Sequence, residues 1–424
     1  MKTIFERSRF NADGFKSIMP RIDTNDSPHN SPMTTAHRQE VLMNMNNTLE
    51  IREVTTKEEL RRFVDYPNVL YRDVKAFVPA IFADDMDDWN PKKNPAFSYC
   101  EAKCFLAWRN GEIVGRIGAI LSHRANETWN TKRMRFTQVD FIDDREVSSA
   151  LFAAVENWAR EKGCNQVHGP LGFCDLDREG MLVEGFDEQG MCITYYNHPY
   201  YNDHLAELGY GKDTDWVENL LILPPASDEN AQKLRKLSEW MLKRGKYHKV
   251  DLKSKKDITK RHFEQVFELI NKAYAPLYGV VEIKDEQISK YAEKFMSVLS
   301  PDYLCLVMNE QEELVAFGVC IPSLAKALKR SHGKLFPTGW YHVLRAMKTT
   351  DTLDLLLIAV DPQLQGSGLN VIVMDHILQG AQRNNVTFAE TGPTLETNLK
   401  VQSQWKFFEH RQHKRRRCYI KDLT

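Results

Sequence analysis

No uncharged run in this chain approaches the length of a membrane span, and the opening MKTIFERSRFNADGF is broken by charge too early for a secretory signal. No transmembrane segment is therefore expected. The eight cysteines lack a CxxC or HxxxH partner pair, so Cys100 and Cys104 read as two positions of one strand and no metal is expected. Most cysteines sit in apolar runs such as CFLAW and YLCLVM, where the thiol acts as a small hydrophobe, and a reducing cytoplasmic setting follows. Charge of one sign is missing too. A formal net charge of -1 exerts no global pull toward nucleic acid, which is not expected as a partner.

What is present is the composition of a globular protein, 42% hydrophobic and 27% charged. At 424 residues the chain exceeds one ordinary core and suits two. Residues 1–47, rich in Asn, Ser, Pro and Asp without apolar periodicity, read as a disordered extension or an upstream start. From Leu49 strand and helix patterns alternate through residue 224. Pro224-Pro225 and the polar ASDENAQ then mark a boundary, with a linker helix within 225–245. The same order repeats over 246–424, and the predicted fold class is α/β, a mixed sheet in duplicated form. Asn110-Gly111 predicts a tight hairpin turn in the first copy. EIVGRIGAI beside ELVAFGVCI supports the duplication.

The sharpest signal is LLLIAVDPQLQGSGLNVIVMDHIL, an apolar strand that runs through a glycine turn into an apolar helix. Amides at such a turn, with the helix dipole behind them, suit a pyrophosphate, and Gly366 and Gly368 let the main chain come close. A Walker loop would need Gly-Lys-Ser/Thr where Gly368, Leu369 and Asn370 stand, and the third glycine of a dinucleotide fold is absent.

Val360, Pro362, Gln365, Gly366 and Gly368 fit V-x-P-x-x-[RQ]-G-x-G-x-[GA], and in this the sequence resembles the GNAT acyl-CoA N-acyltransferases. Asn370 departs from the last position of the pattern, and Trp405 stands where the family often carries a Tyr that protonates the leaving sulfur. The whole looks like tandem GNAT proteins of bacteria and, more distantly, the FemABX transferases. The resemblance implies acetyl-CoA or another acyl-CoA as donor, a small-molecule or peptide amine as acceptor, and a cofactor held by Ile358, Val360, Gln365, Gly366, Ser367, Gly368, Asn370 and Asn398. The alternative it leaves is a catalytically weak sensor that binds CoA. The first half carries acidic side chains and no glycine at the equivalent turn, so it reads as a degenerate copy.

Amide transfer needs a base for the amine, and Glu390 on the strand TFAETGP is the expected one, with Glu396 as rival and Tyr419 as a candidate acid. Asp175, Asp177 and Glu179 could hold a cationic acceptor. The basic run His410 to Arg417 leaves three readings open: a solvated edge, a contact with an acidic substrate or the CoA 3′-phosphate, or RNA and DNA. Between hairpin and central strand of the second copy lies an insertion from Pro322 to about Thr350 whose helices are amphipathic and basic. It suits packing on the first domain, a lid that brings Trp340 and Tyr341 to the acceptor, or a membrane-surface contact.

Overall fold

The computed structural model describes residues 48–244, 246–296 and 298–423; the expectation for the first 47 residues lies outside them. The described chain opens with β1 (Glu50–Glu53) and α1 (Lys57–Leu70). Thr56 caps α1 and Glu59 reaches back to the cap, so the sequence T-x-x-E satisfies donors at both positions. α2 (Phe82–Asp88) lies in the acidic aromatic stretch, ahead of the hairpin β2 (Cys100–Arg109) and β3 (Glu112–Ser122). As expected, Asn110 and Gly111 make its turn with φ of 55° and 80°. α3 (His123–Thr128), β4 (Arg133–Phe141), α4 (Arg145–Glu161), β5 (Gln166–Gly169), β6 (Met181–Glu184), α5 (Tyr200–Glu207) and β7 (Gly211–Ile222) complete the first half.

After the connecting helix α6 (Glu229–Lys243), the second half runs β8 (Tyr247–Lys249), α7 (Lys260–Tyr274), α8 (Asp285–Met296), β9 (Leu304–Asn309) and β10 (Leu314–Pro322). The insertion forms α9 (Ala325–Ser331) and α10 (Gly339–Thr349). Then come β11 (Thr352–Val360), α11 (Leu369–Arg383), β12 (Phe388–Thr391), β13 (Thr394–Leu395), α12 (Leu399–Gln402) and β14 (Glu409–Asp422).

Among the described residues these strands make one mixed sheet, ordered β1-β2-β3-β4-β5-β14-β7-β12-β11-β10-β9-β8, with β6 on β14 and β13 on β7. The two halves trade final strands. β14 pairs antiparallel with β5 of the first half, β7 pairs antiparallel with β12 of the second, and β7 and β14 pair with each other at the join. α4 packs Val147, Leu151, Phe152 and Val155 on the first half's strands, while α11 buries Leu369, Ile372, Val373 and Leu378 on the second's.

This exchange corrects the reading of the basic run. β14 is an interior strand, and His413, Lys414 and Arg416 are buried. Opposite them β7 presents Glu218, with no exposed surface, and Asp215. Lys414 meets Glu218 at 3.2 Å, Arg416 also engages Glu218, and Arg417 donates to Asp215 at 2.8 Å. Burial would push the Glu218 carboxyl up, but Arg416 and Lys414 hold it below its usual range. A solvated edge or a phosphate-binding strip is excluded for these buried cations, because their charge is used inside the sheet.

Candidate active site

β11 and β12 run parallel and paired only as far as Leu355 and Thr391. The amide of Gly392 still reaches the Leu355 carbonyl at 2.9 Å; beyond it β13 turns to pair with β7, and β11 continues to Val360 with no strand among the described residues on that side. The opposite edge of β11 carries an irregularity: Val319 of β10 faces Leu357 and Cys320 faces Leu355, so Leu356 is an extra residue bulged out of register. Splay and bulge open the sheet at its middle.

A cavity of about 200 Å³ fills this opening. That exceeds the roughly 150 Å³ of a dry apolar cavity that admits a benzene-sized guest. Its walls are mostly aliphatic and aromatic, among them Leu353, Leu355, Met374, Leu378, Trp405 and Phe408. Ile358 and Asn398 line it as well, and Asn398 also caps α12 by accepting the Val401 amide at 3.3 Å.

At the far end of β11 lies the glycine turn. Gly366 and Gly368 take φ of 84° and 91°, which a residue with a Cβ adopts only under strain, and a Cβ at Gly366 would meet open space. Gln365, Gly366 and Ser367 are exposed, Asn370 sits in the first turn of α11, and Val360 ends β11 against Ala316. The amide of Ser367 is bonded to the Leu364 carbonyl, whereas those of Gly366, Gly368, Leu369 and Asn370 have no acceptor among the described residues. Lys400 stands beside the turn, donating to Gln365 Oε1 at 3.1 Å. Donors, dipole and one cation converge there. In the first half the matching helix end is closed: Asp144 caps α4 itself, accepting from Glu146 at 2.9 Å, and binds Arg109.

Carboxylates reach the cavity from the first half. Asp175 and Glu179 line it from the loop between β5 and β6, with Tyr274 and Tyr278 from the second half nearby. Burial raises the Asp175 carboxyl to about 7 despite the Arg135 guanidinium, and burial with the Asp175 charge beside it raises Glu179 well above the ordinary range. Arg135 is held by the Gly172 carbonyl at 2.8 Å.

Five expectations need correction. Glu390 does not line the cavity: on β12 its neighbours Ala389 and Thr391 face it, while Glu390 turns to the other side and joins Lys414 and His413, the latter at 3.3 Å. Tyr419 lies in the first half's core, carried there by the strand exchange, and donates to Asn202 at 2.8 Å. Asp177 shapes its own loop, accepting from the Phe173 and Cys174 amides at 2.8 and 3.2 Å. Trp340 and Tyr341 are 48% and 54% exposed on α10, outside the cavity lining. The rival Glu396 is also used elsewhere, paired with Arg415 at 2.9 Å.

Sequence reasoning missed Tyr274 and Tyr278, though NKAYAPLYG places both around a Pro at a helix end. It also missed what Trp405 offers. That indole is 6% exposed, lines the cavity, and its N–H has no acceptor among the described residues. A second overlooked feature is Asp354, a fully buried acid in the apolar run TLDLLLIAV, raised to about 7 by burial and the nearby Glu390.

No family model matches the chain. Among solved structures, the tandem GNAT protein from the clavulanic acid biosynthesis pathway superposes with a TM-score of 0.53 at 13% identity, over 88% of this chain and 98% of that one. The fold is the tandem GNAT fold. Two named proteins are similar to this chain in sequence. Protein YghO of Escherichia coli (strain K12) is 26% identical over 388 residues, 88% of this chain and 95% of its own length. The bacterial ceramide synthase of Caulobacter vibrioides (strain NA1000 / CB15N) is 27% identical over 307 residues, covering 72% and 77%. No helix among the described residues is long and apolar enough to cross a membrane.

Proposed function

We propose that this protein is an acyl-CoA-dependent N-acyltransferase whose donor carries an aliphatic chain and whose acceptor is a long-chain amine. The observation that carries this reading is the parting of β11 from β12 at Leu355 and Thr391, beside an open glycine turn where the amides of Gly366, Gly368, Leu369 and Asn370 have no acceptor among the described residues. The residues fit an acyl-CoA: the open space at Gly366 admits a pyrophosphate against the main chain, and the Trp405 N–H is a buried donor without an acceptor among the described residues. The name of the Caulobacter relative supports a lipid amine as acceptor. The duplication's halves are proposed to run over 48–224 and 246–424, with α6 between them.

An acyl-CoA supplies the thioester, an electrophilic carbonyl carbon with a thiolate as leaving group. Gly366, Gly368, Leu369 and Asn370 hold the diphosphate through main-chain amides, with Lys400 adding charge. The aliphatic walls around Leu355 and Leu378 take the chain. Asp175, raised to about 7, takes a proton from the acceptor's ammonium group near neutral pH and so frees the neutral amine that attacks, and Glu179 beside it is held well above the ordinary carboxylate range. Trp405 donates its N–H toward the departing sulfur in place of a phenol.

Calorimetry with CoA and a thiol-release assay with a long-chain acyl-CoA and a long-chain primary amine test the reading together. Wild type binds CoA and releases thiol only with the amine present; Gly366→Val, strained at φ of 84°, binds at least about tenfold more weakly. No binding heat from the wild type rejects the reading. Binding without thiol release selects the sensor alternative, which the departure at Trp405 favours.

A further inference from the structure

The insertion between β10 and β11 is absorbed by neither the cavity nor the glycine turn. Residues 323–350 contain Lys326, Lys329, Arg330, Lys334, Arg345 and Lys348 and no Asp or Glu. α9 and α10 pack on each other through Leu328, Val343, Ala346 and Met347. Between them a cleft of about 160 Å³ is walled by Lys326, Arg330, His342 and Arg345 together with small residues. Lys326 meets Asp351 at 3.2 Å, while Arg330 and Arg345 have no carboxylate partner among the described residues. Beside this cleft Phe336, Trp340, Tyr341 and Leu344 are 83%, 48%, 54% and 54% exposed. Trp340, Leu344 and Lys348 are spaced by four on α10, so anchor residues and a terminal cation share its outer face.

We propose that α9 and α10 dock the protein on an anionic lipid bilayer, with Phe336, Trp340, Tyr341 and Leu344 entering the interface and a phosphate headgroup seated between Arg330 and Arg345. A soluble partner would not require four large apolar side chains held out to water around a cleft in which Arg330 and Arg345 meet no carboxylate among the described residues. Aromatic groups prefer the headgroup boundary, and although Lys326 and Lys334 meet Asp351 and Asp65, the four cations Lys329, Arg330, Arg345 and Lys348 meet no carboxylate among the described residues and complement a negative surface potential. The placement also suits the fold. The insertion joins β11 at Thr352, and the glycine turn follows its other end at Val360, nine residues or roughly 30 Å away. Docked by the insertion, the protein leaves the glycine turn facing water.

Cosedimentation of the full chain with vesicles tests this, comparing phosphatidylcholine alone with phosphatidylcholine carrying about one-third phosphatidylglycerol. Wild type is expected to sediment with the anionic vesicles, weakly with the neutral ones, and less as salt rises. Two surface variants should each reduce partitioning by about tenfold or more, Trp340→Ser with Leu344→Ser and Arg330→Glu with Arg345→Glu, while far-ultraviolet dichroism and CoA binding stay unchanged. Wild type remaining in the supernatant with both vesicle types overturns the proposal, as does equal sedimentation of all three proteins. Competition for inorganic phosphate without vesicle binding assigns the cleft to a free anion and likewise overturns it. So does a dimer in light scattering that the Trp340→Ser, Leu344→Ser protein loses, which would assign the face to a second copy.

Discussion

Glu218 and Lys414 face each other across the join between the two halves, both buried and 3.2 Å apart at their charged atoms. They are register partners of β7 and β14, the two strands that the halves exchange. Lys414 also binds Glu390, and Arg416 also binds Glu218, so the join is a chain of alternating charge with the His413 ring at its margin. Removing ions from water costs free energy that such contacts only partly return, so the network acts chiefly on which strand pairs with which. A slip of one residue would point these charges into the apolar layers.

Lys414→Met is therefore expected to destabilise the fold by about 3–5 kcal/mol, because Glu218 and Glu390 would keep buried charges with less compensation. Adding Glu390→Gln should recover part of that loss, whereas Glu218 must keep its charge to compensate the buried Arg416. Urea denaturation followed by tryptophan fluorescence measures both. An effect below about 1 kcal/mol for the single variant would mean that water, rather than Lys414, compensates these acids.

Raised carboxyls at Asp175 and Asp354, both about 7, give activity and stability opposite pH dependence. Each folded-state pKa lies above the unfolded value of about 3.9, so the stability gained by staying protonated is full below that value and is lost as pH rises through about 7. The base function of Asp175 requires its ionised form, so kcat/KM should rise through the same window. Asp175→Asn should abolish the rise and lower kcat/KM by about 10²-fold or more. Asp177→Asn should alter the loop's stability, since Asp177 accepts from the Phe173 and Cys174 amides, and should shift the rise to lower pH without abolishing it, since the Asp177 charge helps to raise Asp175.

The hairpins, α4, α11 and the glycine turn were legible because local rules fix them: Asn110-Gly111 closes a turn, and an apolar strand followed by glycines and an apolar helix has few other uses. Glu390 and Tyr419 were misplaced for a shared reason. The face of a short strand such as β12 depends on register against β7, and the destination of β14 depends on an exchange spanning both halves. Neither is written in a local window. The run HRQHKRRR looked solvated because its acids, Glu218 and Asp215, lie nearly two hundred positions upstream. The legible clue was reciprocal: Asp354 and Glu390 are acids inside apolar strands, and buried acids need cations.

Trp405→Phe separates chemistry from packing. The indole N–H is buried with no acceptor among the described residues, so its removal gives up no hydrogen bond to them, and stability should fall by no more than about 1–2 kcal/mol from lost contact area. If the N–H meets the departing sulfur, kcat should fall by about 10-fold to 10²-fold with little change in KM. Stopped-flow thiol release measures this, and an unchanged kcat assigns Trp405 to the cavity wall alone.

Chain-length preference rests on volume. Leu355 lines the cavity at the point where β11 and β12 part, and the space available is about 200 Å³. Leu355→Trp fills part of that space from a half-buried position whose backbone is already paired to β10 and β12, so the fold can accept it while the cavity narrows. Activity with acetyl-CoA should persist within a few-fold. Activity with long-chain acyl-CoA should drop by about 10-fold to 10²-fold, because each methylene kept out of the apolar wall forfeits about 0.8 kcal/mol of transfer free energy. Competition between a short and a long acyl-CoA in one thiol-release assay measures the ratio directly. Equal loss for both donors would mean that Leu355 guards the thioester rather than the chain, and the aliphatic walls would then belong to the acceptor.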